Sequence, residues 1–238
     1  MCNDSIKILS FVFLIFIACS SPQTEAEKIE RIIKVQAPSI SDNVSQLLLV
    51  ISEEPGNAQT KLFALEKEDG KWKQKIGPVA AGIGKNGFAA FGEKMEGDGK
   101  SPSGVFRLGH LFTYADTVIT KMPYSISTAD DKWIDDTESD DYNKHVRGDT
   151  DAKSFEKLKL KSTYYKYCMV IEYNTDPVVK GKGSAIFFHL RESDTETTSG
   201  CVGIAEKDMQ LVLKWLAPTA HPMIIMGDSQ TLLHQSFQ

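Results

Sequence analysis

The chain has 238 residues, 41% of them apolar, and a formal net charge of −5, which suits one globular domain of about 150 to 200 residues with appendages. That mildly acidic balance, with no basic stripe, finger spacing or RNA-binding motif, argues against a nucleic-acid partner.

Residues 8–18 form an apolar run of eleven behind Lys7, the length of a signal-peptide core and too short to cross a bilayer. The segment Phe16-Ile17-Ala18-Cys19 resembles a bacterial lipobox, although phenylalanine stands where leucine is usual. That resemblance implies cleavage before Cys19, lipidation of its thiol, and an exported protein held at a membrane of the cell envelope and facing the periplasm. Residues 1–18 are therefore expected to be a signal peptide, 19–43 a polar tether with a turn or three of helix, and 44–238 the folded domain. Once Cys2 is removed and Cys19 is lipidated, Cys168 and Cys201 are the remaining thiols. An oxidising compartment allows a bridge between them, but the glycines around Cys201 favour a free, reactive thiol.

The domain opens with Gln46–Ser52, whose run of Leu47 to Ile51 predicts a strand buried on both faces. Short strands are expected at 60–65, 72–76 and 79–81. Residues 82–87 satisfy G-x-G-x-x-G, yet no helix starts there and no acidic ribose ligand comes after it, so a dinucleotide site is rejected. Residues 97–101 lack the first glycine of a phosphate loop. Ser101-Pro102-Ser103-Gly104 is a turn that launches a strand at 105–108. The acidic tract at 130–141 lacks the spacing of a calcium loop and reads as a solvated loop or a cleft wall.

Residues 165–173 alternate Tyr165, Tyr167, Met169, Ile171 and Tyr173 against Lys166, Cys168, Val170 and Glu172, which predicts a strand with Cys168 as an inert packing residue. Residues 183–190 predict a second strand, with Ala185, Phe187 and His189 on one face. Met209, Val212, Leu213 and Leu216 form one helical stripe within 205–217, and residues 222–226 read as a last buried strand. The expected fold class is mainly β: a sandwich or distorted barrel of mixed strands, with one helix directly after Cys201.

His189 ends an apolar strand, and Cys201 comes after eleven further residues, between Gly200 and Gly203. An imidazole beside a thiol favours the thiolate, and glycine leaves backbone amides free to meet a developing oxyanion. A zinc site of Cys168, His189 and Cys201 lacks ligand-pair spacing, so no metal is expected.

His189 with Ser199-Gly200-Cys201, supported by the 97–106 segment, the 133–143 segment and Tyr173-Asn174, resembles the L,D-transpeptidase catalytic domain (YkuD-like) family over about residues 47–227. The resemblance implies a β-rich catalytic domain needing no cofactor, whose partners are peptidoglycan stem peptides. It implies that Cys201 is the nucleophile, attacking the diamino residue of a stem tetrapeptide and expelling D-alanine. His189 is then the general base and acid, and the amides of Gly200 and Cys201 form the oxyanion hole. The thioester passes to a second stem as a 3-3 cross-link. Hydrolysis of the same bonds, or a wall-binding lipoprotein with decayed catalysis, are the alternatives. Gly203 stands where many members carry an arginine. Ser199, Gly203, Trp133, Tyr142 and Asn143 are therefore the candidate substrate-binding residues, with Asp135 and Asp136 also on the expected cleft wall.

Overall fold

The structure is a computed structural model, and it describes residues 24–237. The expected signal peptide and the expected lipidation at Cys19 lie outside the described residues. In chain order the elements are α1 (Glu25–Gln36), β1 (Gln46–Ser52), β2 (Gln59–Glu68), β3 (Lys71–Gly82), β4 (Gly104–Thr113), β5 (Tyr124–Ile126), β6 (Asp131–Ile134), β7 (His145–Arg147), β8 (Phe155–Lys157), β9 (Tyr167–Ile171), β10 (Phe187–Leu190), β11 (Val202–Ile204), α2 (Glu206–Trp215), β12 (Met223–Asp228) and α3 (Ser229–His234).

The main sheet runs β12-β1-β2-β3-β11-β10-β9-β4, and β12 also pairs with β4, so eight strands close into a mixed barrel with β5 at its side. Closure removes the open edges that a sheet of this size would present to other chains. The β1 run is buried on both faces for a visible reason. Leu48 and Val50 point into the barrel core with Leu62, Phe188, Val202 and Ile224, whereas Leu47, Leu49 and Ile51 point outward beneath α1 and α3. The apolar stripe of α2, Met209, Val212 and Leu213, joins the inner core.

Two expectations change. Residues 25–36 are not a free tether: α1 starts with a capping box between Thr24 and Glu27, and Ile29, Ile32 and Ile33 are buried against the barrel. Each such burial is worth roughly 2 kcal/mol, enough to hold the segment down. The strands expected at 72–76 and 79–81 are one strand, β3, whose irregular pairing with β2 is absorbed near Leu62 and Ala64. The helix expected within 205–217 is α2, and the short strand β11 stands between it and Cys201.

The acidic tract is a strand in part. β6 is central in a second sheet, β7-β6-β8, and its Asp131 is fully buried, paired with Arg147 Nε and His145 Nε2, each at 2.8 Å. This small sheet lies over the outer face of β9 and β10. There Trp133, Phe112, Cys168, Val170, Phe187 and Cys201 form a third apolar cluster.

Candidate active site

β10 and β11 are parallel, with His189 opposite Gly203 and Phe188 opposite Val202. The register carries Cys201 to the level of Phe187, one step before His189 on the same face. Both side chains line one cavity of about 260 Å³, together with Ser199, Thr198, Glu196, Arg191, Tyr164, Tyr165 and Glu156.

Cys201 is 7% exposed and unbridged; its Sγ donates to Ala185 O at 3.2 Å and accepts from Phe187 N at 3.3 Å. Burial pushes the thiol well above its ordinary range, and the Glu156 carboxyl adds to the effect. His189 is 8% exposed, and its Nδ1 sits 2.6 Å from Leu190 O. Burial pushes the imidazole down to about 4, so it is neutral at pH 7. A carbonyl can only accept, so Nδ1 carries the proton and Nε2 keeps its lone pair. The resting pair is therefore a neutral thiol and a neutral base, not the ion pair expected from adjacency, because both groups are out of water. Among the described residues no hydrogen bond joins the two.

Of the expected oxyanion donors, the Gly200 N–H is already committed to Thr198 Oγ1 at 3.1 Å. The Cys201 N–H donates to no group among the described residues and is the amide left for an oxyanion.

Ser199 lines the cavity, but Gly203 lies beneath Arg191, whose Cβ would be 3.2 Å from any Cβ at 203. Trp133, Tyr142 and Asn143 are not on the cavity wall; they are 7%, 1% and 3% exposed and stand behind it. Asn143 Oδ1 accepts from Trp133 Nε1 at 2.8 Å and from Ala185 N at 3.0 Å, and its Nδ2 donates to Tyr173 O and Asn174 O. Tyr142 Oη donates to Glu96. Asn143, with Trp133 bonded to it, thus fixes Ala185, whose carbonyl in turn holds the thiol. Asp136 accepts from Lys153 N and Glu138 N in a surface turn, and Asp135 does not line the cavity.

Glu156 and Tyr165 line the cavity although no sequence pattern marks them for it. The alternation of 165–173 puts Tyr165 on the barrel face of a strand, but β9 begins only at Tyr167. Tyr165 therefore turns outward and packs edge-on against His189 (5.2 Å) and Phe187 (5.6 Å). Arg191 was legible in principle, two residues beyond His189 and hence on its face.

The closed mixed barrel thus presents a cysteine and a tautomer-fixed histidine in one cavity. The sequence matches the family model described as the L,D-transpeptidase catalytic domain (YkuD) over residues 56–225, and the chain belongs to that family. No curated protein matches it. Among solved structures it is similar to the crystal structure of the helical cell shape determining protein Pgp2 from Campylobacter jejuni, with 14% identity and a TM-score of 0.39. That similarity covers 87% of this chain and 59% of the other, and so distant a likeness carries no functional argument.

Proposed function

We propose that the protein is a cysteine acyltransferase acting on peptidoglycan stem peptides. The observation that carries this reading is the His189 Nδ1 contact to Leu190 O in the cavity that also holds Cys201, because it leaves Nε2 as the base facing the same space as the thiol. Membership of the family supports the substrate class.

In this reading the thiol leaves Ala185 O as substrate enters. His189 Nε2 takes its proton while Sγ attacks the carbonyl of the diamino residue, and the Cys201 amide meets the oxyanion. The imidazolium then protonates the departing amine of D-alanine, leaving a thioester on Cys201. An amine of a second stem takes the acyl group to give a 3-3 cross-link and restores the thiol. Water in the same position yields hydrolysis, and the nature of the product separates the two. The neutral resting pair keeps the thiol unreactive until substrate enters.

The protein is further proposed to be exported and held at a membrane through lipid on Cys19, on the strength of the apolar run at 8–18 and the lipobox-like segment after it. Fatty-acid labelling that persists in Cys19→Ala would contradict the anchor. For the catalytic reading, a carbapenem should acylate Cys201, and peptide mapping by mass spectrometry should place the adduct there. An unmodified Cys201 would contradict the reading.

A further inference from the structure

The cavity beside Cys201 holds four charged or titratable side chains besides the thiol and the phenols, and three are already committed. His189 is tied to Leu190 O. Glu196 accepts from Tyr164 Oη at 2.6 Å through one oxygen and from Glu192 N at 2.7 Å through the other. Arg191 donates to Gln59 Oε1, Asp194 O and Asp194 Oδ1; its Nε has no partner among the described residues but is buried away from solvent. Glu156 differs: one oxygen accepts from Tyr165 Oη, and the other has no partner among the described residues. Among the described residues its neighbours are a hydroxyl and other carboxylates, with no cation beside it.

A carboxylate drawn out of water without a cation is costly, and burial accordingly pushes the Glu156 carboxyl upward. Its position is nonetheless rigid. Glu156 is the middle residue of β8, paired across the small sheet with Trp133, and Trp133 packs edge-on at 5.3 Å against Phe187, whose amide holds the Cys201 sulfur. The β8 backbone is thus held in place relative to the thiol, and the Tyr165 hydroxyl ties the Glu156 carboxyl to a second residue of the cavity wall.

We infer that Glu156 is the subsite for the side-chain ammonium of the acyl donor, the cationic end of the diamino residue whose carbonyl Cys201 attacks. This assignment rests on the acyltransferase reading above. The free Glu156 oxygen receives an N–H of the ammonium, which brings the missing cation and anchors the donor from its side chain. The pairing also bears on the nucleophile. The Glu156 charge raises the Cys201 thiol, and a bound ammonium cancels that field, so a correctly charged donor makes its own attacker more acidic.

The test uses the full chain, tetrapeptide muropeptides with the diamino side-chain amine either free or acetylated, and hydroxylamine as a common acceptor, with release of D-alanine as the readout. The wild type should prefer the free amine by about tenfold or more in kcat/KM, the size expected of a charged hydrogen bond. Glu156→Gln should lose that preference, chiefly through KM, whereas Tyr165→Phe, which keeps the carboxylate, should retain it. Equal preference in Glu156→Gln and wild type overturns the assignment, as does its full loss in Tyr165→Phe. The wild-type comparison stands even if Glu156→Gln does not fold: D-alanine release indifferent to acetylation overturns the Glu156 assignment alone. No Cys201-dependent release from either substrate overturns the acyltransferase reading beneath it.

Discussion

Ser101 Oγ donates a 2.6 Å hydrogen bond to the carbonyl oxygen of Gly200, one residue before the cysteine and 99 positions away in the chain. The same hydroxyl accepts from Gly84 N at 3.0 Å, so one fully buried side chain ties the glycine-rich tract, the serine-proline turn and the cysteine loop together. In the sequence these are three separate motifs. Ser101→Ala orphans the Gly84 amide and the Gly200 carbonyl, and should cost roughly 2 to 4 kcal/mol in urea unfolding. Activity should fall further than stability alone predicts, because Gly200 sets the position of Cys201.

His189 makes stability depend on pH. Its folded pKa of about 4 lies below the ordinary value of 6.5, so the unfolded chain binds more protons between the two. The contribution is fully present above pH 6.5 and is lost as pH falls toward 4. At full extent it amounts to roughly 3 kcal/mol. Urea melts of the wild type should weaken across that window, and those of His189→Asn should weaken less. The acid limb of kcat/KM should likewise sit well below pH 6.5.

Asn143 makes four hydrogen bonds behind the cavity and adopts φ 57°, a conformation asparagine tolerates better than most residues. Asn143→Ala should destabilise by roughly 3 kcal/mol, since the Ala185 amide and the Trp133 indole lose their acceptor together. Asn143→Asp should be no better, because its carboxylate faces the Tyr173 and Asn174 carbonyls. Thermal melts of both variants check this.

Burial should make Cys201 a slow thiol at rest. Iodoacetamide at pH 8 should alkylate it more slowly than free cysteine, and Cys168, fully buried with its thiol likewise pushed up, should react only on unfolding. Alkylation of Cys201 at or above the free-thiol rate would contradict the neutral resting pair.

Much of the fold is legible because it is periodic. The alternation of 183–190 places Phe187 and His189 on one face, and the 3.6-residue stripe locates α2. What the sequence hides is long-range. Trp133, Tyr142 and Asn143 stand out in it yet belong behind the cavity rather than on its wall, since a polar side chain reads the same whether it meets substrate or a buried amide. Glu156 sits in a three-residue strand with no pattern of its own, and only the second sheet brings it to Cys201. Residues 25–36 look like tether because their three isoleucines are surrounded by charge, and their burial depends on a face that β1 and β12 create.

Every role proposed for the cavity depends on Cys201 carrying the acyl group. The decisive measurement is to incubate the protein with tetrapeptide muropeptides and resolve both products and intact protein by mass spectrometry. Loss of D-alanine, a cross-linked or trimmed product, and a stem-peptide thioester that maps to Cys201 are expected, with none of these in Cys201→Ala. D-alanine release by Cys201→Ala, or an unmodified and inactive wild type, would contradict that role.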